Sequence, residues 1–369
     1  MSAEKPSEIK PKRNFNHNLL TALSLAAIIL LGIFFRFYQL GATSLGNSYY
    51  AATVKSMLTS WHNFFFVSYE PGGSVSVDKP PLGFWIEAIS AYFFGLTGFS
   101  LALPNALAGT FSIPMLYSLV KKQFGTLSGL AAALVLAVTP ITIATERNNT
   151  IDGMLVFVLL AATWFTWKSV ENGKLRYLLM GAIIIGLGFN IKMLQAYMVL
   201  PAIYLLYFFG AKHRWPKRIT HLGIATVLLL AVSLSWALIV DSVPAENRPF
   251  IGSSTDNTVT ELIIGHNGIK RLLGGPGSGI APENGQFANN NQRDNGNGND
   301  RESARADLPS KQDGLPGQTP PAGSNQPVGA NEVGIAGWLR LFSEPLAAQG
   351  SWLLPLALLG VGLILYGTG

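Results

Sequence analysis

Residues 46–82 read GNSYYAATVKSMLTSWHNFFFVSYEPGGSVSVDKPPL and decide how the rest of the chain is arranged. This polar and aromatic stretch lies between one apolar run and further apolar sequence, and it is too long to be a simple connector. Its apolar side chains recur at i, i+4, i+7, i+8 and i+11 between Tyr50 and Trp61, which predicts an amphipathic helix with one apolar face. We expect that helix to lie flat on a bilayer surface.

The second half of the stretch predicts a rigid, turn-rich backbone. Three phenylalanines at 64–66 precede a Glu-Pro-Gly-Gly turn at 70–73 and the sequence Asp78-Lys79-Pro80-Pro81. The paired prolines are expected to hold the backbone extended and to present a carboxylate beside an ammonium. Such a pair at a membrane surface suits a substrate that carries both a sugar hydroxyl and a phosphate.

The composition is that of an integral membrane protein. Of the 369 residues, 49% are hydrophobic and 12% are charged, and this charged fraction is about half that of an ordinary soluble domain. The net charge of +6 does not indicate nucleic-acid binding, because the basic residues stand in short clusters beside apolar segments, where they orient helices. The absence of cysteine excludes disulfides, a thiolate zinc site and a cysteine nucleophile.

Apolar runs predict a polytopic helical bundle. The basic segment 1–18 is expected in the cytoplasm, followed by a first span that is not cleaved as a signal peptide. The predicted spans are residues 19–35, 101–120, 127–145, 151–167, 175–191, 194–209, 222–240 and 352–366.

The apolar run 82–99 is expected to be an interfacial or re-entrant helix rather than a span. It contains Glu87, is interrupted by glycines and is rich in aromatic residues that favour the interface. If it does not cross, the basic clusters near Lys122, Lys174 and Arg214 all face the cytoplasm. The outer face then collects residues 41–100, 146–152, 190–192 and 241–350.

Composition also divides the chain. Residues 19–273 are the expected transmembrane core, with the outer loop 41–100 inside it. Residues 274–336 are expected to form a flexible outer loop, because this Gly-, Asn- and Pro-rich stretch has few apolar residues to bury. Residues 337–369 predict an interfacial segment and a last span without a basic anchor, so we expect a C-terminally truncated chain.

Two carboxylates and three cations are the main candidates for chemistry. Asp152 lies at the outer end of an apolar helix, where a carboxylate either has a function or helps to cap the helix. Arg147 is expected to pair with Asp152 or to bind a phosphate bidentately. Lys192, between two spans, either contacts a ligand or snorkels to the interface. Lys79, beside Asp78, likewise either contacts a ligand or snorkels to the interface.

Five further residues are accessory candidates: Asn47, Tyr50, His62, Glu87 and Arg248. Glu87 is expected to be solvated if its helix is interfacial, and an isolated histidine is more often a surface residue than a base or a ligand. Arg248, with Asp241, either closes the cavity or has a structural role in its loop. The sequence contains no convincing metal-ligand spacing and no phosphate-binding glycine loop. We therefore expect no cofactor, although a divalent metal is compatible with the sequence.

Three motifs carry a family resemblance. They are Lys-Pro-Pro-Leu-x-x-Trp at 79–85, Leu-Pro-x-Ala-Leu-x-Gly at 103–109 and Arg-x-x-x-x-Asp at 147–152. Their order after a first span and a long outer loop resembles the GT-C membrane glycosyltransferases of the family 39 type, over residues 19 to about 274. The nearest group is the bacterial relatives of protein O-mannosyltransferases and of the lipid A aminoarabinose transferase. The resemblance implies an all-α GT-C bundle in the cell membrane, which transfers a sugar from a polyprenyl phosphate to a lipid, glycan or protein acceptor at the outer face.

The chain departs from that family's pattern in two places. Gly46-Asn47 stands where the family usually has Asp-Glu, and Ala102 stands where it has arginine. Under the resemblance, another carboxylate then serves as the general base and cations stabilise the leaving phosphate. The expected bases are Asp78 and Asp152, and the expected phosphate partners are Lys79, Arg147 and Lys192.

Two other classes of function remain open. A lipid or solute transporter would also have many spans, but it predicts inverted repeats and charges near the span centres. A non-catalytic, truncated paralogue would explain the departure at 46–47. The concentration of polar residues at one face favours the transferase.

Overall fold

The structure is a computed structural model that describes residues 15–42 and 45–265, with side chains from residue 18 onward. The described residues form α-helices, two short 3-10 helices and two isolated β-bridges, which confirms the predicted all-α class. The expectations for 274–336 and 337–369 lie outside the described residues, as does most of the basic N-terminus. The α-helices are α1 (Phe15–Phe37), α2 (Ser48–Met57), α3 (Trp61–Phe66), α4 (Pro81–Phe94), α5 (Gly98–Val138), α6 (Pro140–Glu146), α7 (Asp152–Asn172), α8 (Leu175–Lys192), α9 (Leu200–Gly210), α10 (Trp215–Ser242) and α11 (Val259–Ile264).

Five helical stretches in the described ranges are long and apolar enough to cross a membrane. Two of them contain a reversal of the chain, so they account for two passes each. In α5 the reversal is at Gly125, with φ 85° and ψ 173°, and Gly129 packs back onto Tyr117. The second is at Met193, with φ 46°, where α8 gives way to the 3-10 helix 193–199 and then α9. The seven passes match the predicted spans within the described residues.

The passes sort the loops into two ends. One end, which we call the basic end, contains the α5 reversal, the α7–α8 connection and the α9–α10 connection. These three segments meet there, because Lys122 forms an ion pair with Glu171 and His213 forms a hydrogen bond with the Gly173 carbonyl oxygen. At the opposite, polar end lie the end of α1, the α6–α7 connection, the end of α8 and the end of α10. All three basic clusters therefore share one end.

Helix α4 does not cross the bundle, as predicted for the run 82–99. Its 14 residues span about 21 Å, less than the roughly 30 Å of a hydrocarbon core. Gly41, just after α1, packs directly on Gly98 and Phe99 at the start of α5. The chain thus leaves α1 and enters α5 at the same end.

The predicted amphipathic helix is shorter than its pattern indicated. Tyr50, Val54 and Met57 are buried, but α2 ends at Met57. Ser60 then caps α3 by accepting a hydrogen bond from the Asn63 amide at 3.1 Å, so Trp61 begins a new helix and is 76% exposed. The i+11 position was wrongly assigned to the first helix, because a serine cap interrupts the apolar spacing.

A buried ion pair joins α1 to the last residue of α6. Arg36 Nε lies 2.6 Å from Glu146 Oε2, and both side chains are almost fully buried. Gly109 and Gly153 leave room for the carboxylate, since a Cβ on either would approach the Glu146 side chain to within 3 Å. Removal of one partner from such a pair costs about 3–5 kcal/mol, so the pair fixes the polar end of α1.

Candidate active site at the polar end

Asn47 fastens the start of α2 to the α6–α7 connection. Its backbone N–H donates to Asn149 Oδ1 at 2.6 Å, and Asn149 Nδ2 donates back to the Asn47 carbonyl at 2.9 Å. Its own Oδ1 accepts from the Tyr50 amide and caps α2. At Gly46, with φ 78°, a Cβ would lie 2.1 Å from Asn148 Oδ1. A side chain at position 46 would be strained by this φ and would require Asn148 and Asn149 to move, so this structure favours glycine at position 46.

Asn105, which sequence reasoning did not single out, connects three elements beneath this contact. Its Nδ2 donates to the Asn148 carbonyl at 3.3 Å and to Glu87 Oε1 at 3.4 Å. Its Oδ1 accepts from the Met154 amide in the first turn of α7 at 3.2 Å. An amide inside an apolar helix was the available signal, because a buried amide needs partners.

Glu87 is buried, so the expectation of a solvated carboxylate was wrong. It lies on the face of α4 that packs against α5, and its Oε2 has no hydrogen-bond partner among the described residues. Since α4 does not span the bundle, this carboxyl sits beneath the polar end. Burial raises the pKa of Glu87 well above its ordinary value, and the Asn105 hydrogen bond opposes only part of that shift.

The first carboxylate–ammonium pair is Asp78–Lys79. Lys79 Nζ lies 2.5 Å from Asp78 Oδ2, and the two side chains are 9% and 14% exposed. Pro80 is extended, as predicted, whereas Pro81 occupies the first position of α4. The segment around Phe250 runs beside the residues before Asp78, with the Ser76 amide donating to the Phe250 carbonyl at 2.9 Å.

The second pair is Asp152–Lys192, which joins the start of α7 to the end of α8. The Asp152 side chain is 43% exposed and the Lys192 side chain is 17% exposed. The alternative that Asp152 pairs with Arg147 was wrong. Arg147 instead donates to the Phe35 carbonyl at 2.7 Å and to the Arg36 and Gln39 carbonyls at 3.4 Å, because the last carbonyls of α1 lack helical partners.

The two pairs flank one packing contact. Gly83, in the first turn of α4, packs on Ile151, and a Cβ at Gly83 would lie 2.6 Å from that side chain. Only Pro80 separates Lys79 from the start of α4, and Asp152 immediately follows Ile151. The neighbouring Val77 and Ile191 belong to the same buried core cluster as Ile151. The sequence predictions of site residues at 78–79, 152 and 192 thus fall around one part of the core.

The remaining accessory candidates are Tyr50, His62 and Arg248. Tyr50 is buried with its ring edge-on to Phe84 at 5.0 Å, and His62 is exposed next to Asn63. Arg248 Nη1 lies 3.1 Å from Asp241 Oδ1, and that carboxylate also caps α11. In the described ranges, no three His, Asp or Glu side chains are grouped as metal ligands.

Two cavities adjoin the site. One, of about 170 Å³, opens between α4, α8 and α10 and is mainly apolar, with Leu82, Trp85 and Trp236 in its lining. The other, of about 240 Å³, is lined by polar groups that include Arg147 and Asn149. Gly46 and Ala102, the two departures from the family pattern, both line this polar cavity.

The fold and the site define a class: a polytopic helical membrane protein with two carboxylate–ammonium pairs at the end of the bundle away from its basic loops. Comparison with known proteins agrees with this class. A family model described as dolichyl-phosphate-mannose-protein mannosyltransferase matches residues 78–236, which include both pairs.

Three similar proteins illustrate the relationship. "Putative mannosyltransferase YkcB" of Bacillus subtilis (strain 168) is 41% identical, over 93% of this chain and 54% of that protein. The undecaprenyl phosphate-alpha-4-amino-4-deoxy-L-arabinose arabinosyl transferase of Pseudomonas aeruginosa (strain UCBPP-PA14) is 26% identical, over 46% of this chain and 32% of that protein. The crystal structure of ArnT from Cupriavidus metallidurans in the apo state has a TM-score of 0.49 and 21% identity, covering 61% of this chain and 42% of that chain.

The resemblance predicted from the motifs is confirmed to this extent: the chain is similar to mannosyltransferases and to transferases whose printed names include undecaprenyl phosphate. It spans about half the length of the Bacillus subtilis relative.

Proposed function

We propose that this protein is a membrane glycosyltransferase that moves a sugar from a polyprenyl-phosphate donor to an acceptor hydroxyl at the polar end. The observation that carries the proposal is the placement of the Asp78–Lys79 and Asp152–Lys192 pairs around one core contact, inside the segment that matches the transferase family model. We infer that the polar end lies at the outer face and the N-terminus in the cytoplasm, because the basic loops collect at the other end.

The ammonium groups suit the donor phosphate. A sugar linked to a polyprenyl phosphate carries a phosphodiester with one negative charge, and Lys79 and Lys192 are each held beside a carboxylate that the phosphate can displace. The apolar cavity between α4, α8 and α10 lies next to Leu82, so it is placed to receive part of the prenyl chain. We assign Arg147 a positioning role, because its Nη atoms already hold the end of α1.

The chemistry is a direct displacement at the anomeric carbon. The acceptor oxygen forms a bond to that carbon while the bond between the carbon and the phosphate oxygen breaks. A carboxylate takes the acceptor proton, and polyprenyl phosphate leaves with its charge facing the lysines. Asp152 is the better placed base, since its side chain is 43% exposed and that of Asp78 is 14% exposed. Asp78 then keeps Lys79 in position.

Sugar transfer tests the proposal. Membranes from cells that express the protein are incubated with a panel of radiolabelled polyprenyl-phosphate sugars, beside membranes that carry the Asp78→Asn/Asp152→Asn double variant. We expect label to leave the donor and enter an acceptor with one of these sugars, and only with the wild-type protein. Movement of intact labelled donor across the bilayer without cleavage would support the transporter class instead.

A further inference from the structure

A cavity at the basic end, lined by charged and aromatic side chains, is separate from the candidate active site. It has a volume of about 260 Å³ and lies between α5 and α7, with Lys122, Trp164, Trp167, Lys168 and Glu171 in its lining. Helix α7 has 21 residues between Asp152 and Asn172, a length of about 30 Å. The α7 residues that line the cavity, from Trp164 to Asn172, therefore lie roughly 18–30 Å along the helix from Asp152.

The two lysines of this cavity differ in their partners. Lys122 forms an ion pair with Glu171, whose other carboxylate oxygen accepts from Trp167 Nε1 at 2.8 Å. Lys168 Nζ instead lies 4.4 Å from the centre of the Trp164 ring and 5.1 Å from that of Tyr177. Among the described residues Lys168 has no carboxylate partner. The three charged groups thus leave one positive charge, held over aromatic faces at the cavity.

We infer that this cavity binds the phosphodiester headgroup of an anionic phospholipid. One phosphodiester charge matches the one unbalanced ammonium, and tryptophan side chains favour the headgroup level of a bilayer. Basic pockets between helices at the cytoplasmic side are suited to anionic headgroups. Lys121 and Lys174 lie at the same end and favour a lipid with a net negative charge over a zwitterionic one.

The site differs from the donor site in location and in ligand. The donor phosphate is assigned to lysines at the polar end, whereas this cavity faces the leaflet at the basic end. Its occupant is a structural lipid, so its binding is measurable without any sugar donor. Failure of sugar transfer would leave this inference untouched, and failure of lipid binding would leave the proposed transfer untouched.

Lipid binding to the purified full chain in detergent tests the inference. Phosphatidylglycerol, phosphatidylcholine or inorganic phosphate is added, and bound lipid is measured by native mass spectrometry. We expect phosphatidylglycerol to bind more tightly than phosphatidylcholine, and Lys168→Gln to weaken phosphatidylglycerol binding about fivefold. Lys168→Arg should retain binding. Lys174→Gln, which removes the same charge from an exposed neighbour, should change it less than twofold.

Three results would overturn the site. Equal losses with Lys168→Gln and Lys174→Gln would show diffuse attraction to the basic end rather than a cavity. Equal binding of phosphatidylglycerol and phosphatidylcholine would show that the net charge of the lipid has no role. Displacement of phosphatidylglycerol by millimolar inorganic phosphate would indicate a site for a free anion. Thermal unfolding without lipid checks that the Lys168→Gln variant is folded. If it is not, phosphatidylglycerol binding by Lys168→Arg is measured instead, and loss of binding in that variant would contradict the inference.

Discussion

At the scale of single residues, the two site aspartates differ in how far a substrate can reach them. Asp152 is partly exposed and lies at the start of α7, whereas Asp78 is nearly enclosed beside its lysine. The backbone near Asp152 is held by the bond from Asn105 to the Met154 amide. The proposed function therefore assigns Asp152, on a fixed backbone, the role of base and assigns Asp78 the role of orienting Lys79.

We predict that Asp152→Asn lowers turnover about 10²–10⁴-fold and leaves donor binding nearly unchanged, because the amide keeps the shape and loses the base. Asp78→Asn should act mainly on donor binding, through Lys79. Steady-state transfer kinetics separate the two effects. Asp256→Asn, at an exposed carboxylate of the same end, is the matched control. Wild-type transfer rates in both Asp152→Asn and Asp78→Asn would show that neither aspartate is the base and that another group, such as Glu70, has this role.

Glu87 offers a prediction on stability and pH. Its pKa in the folded protein lies above the unfolded value, so the fold holds a proton that the unfolded chain releases. Wild-type stability should therefore fall as pH rises from about 4.5 toward the folded pKa. Glu87→Gln should flatten this slope, as measured by thermal unfolding in detergent at pH 5 and pH 8. The exposed Glu246→Gln should keep the wild-type slope, and an unchanged slope in Glu87→Gln would show that Glu87 is not the source.

At the scale of elements, hydropathy predicted the passes and missed the local boundaries. Spans follow from long apolar runs and from the sorting of Lys and Arg, both of which are local in sequence. The end of α2 at Met57 depends on a serine cap that competes with a continuing apolar pattern. The partners of Asn105 and Arg147 lie 18 to 112 positions away along the chain, so local sequence patterns do not predict them. The candidate carboxylates and the Asp78–Lys79 pair were predictable from the sequence, but the Asp152–Lys192 pair was not.

The reversal in α5 depends on a backbone conformation that only glycine adopts readily. Gly125, at φ 85° and ψ 173°, lies in a region where other residues cost about 1–3 kcal/mol. We predict that Gly125→Ala lowers the thermal unfolding midpoint although no atom lies within 4 Å of the added Cβ. Gly223→Ala, equally unobstructed but inside α10, should be neutral or stabilising. Equal effects of the two changes would mean that the α5 reversal is not strained.

At the scale of the whole molecule, the helices place the basic loops and the candidate site at opposite ends of the bundle. Basic loops occupy one end, and the two carboxylate–ammonium pairs with their polar and apolar cavities occupy the other. This separation follows from the failure of α4 to cross. A crossing there would have placed the Lys121–Lys122 cluster on the side of the candidate site.

The arrangement predicts which introduced cysteines a thiol reagent can reach in intact cells. The chain has no cysteine of its own, so any labelling comes from the introduced residue. Cysteines introduced at Phe124 and Lys174 should resist a membrane-impermeant thiol reagent. His62→Cys and Glu246→Cys, at exposed positions of the polar end, should be labelled. Permeabilised cells provide the control, since all four positions should then react. The opposite pattern would invert the orientation and place the transfer site at the cytoplasmic face.

The paired hydrogen bonds between Asn47 and Asn149 have a consequence for biogenesis. The two residues are 102 positions apart, and synthesis proceeds at roughly 5–20 residues per second. The first loop therefore emerges about 5–20 s before the asparagine that anchors it. During that delay α2 has no partner for its Asn47 backbone groups from the α6–α7 connection. The rate of synthesis thus sets the earliest time at which the polar end can assemble, and this assembly cannot be completed before α5 and α6 have been inserted.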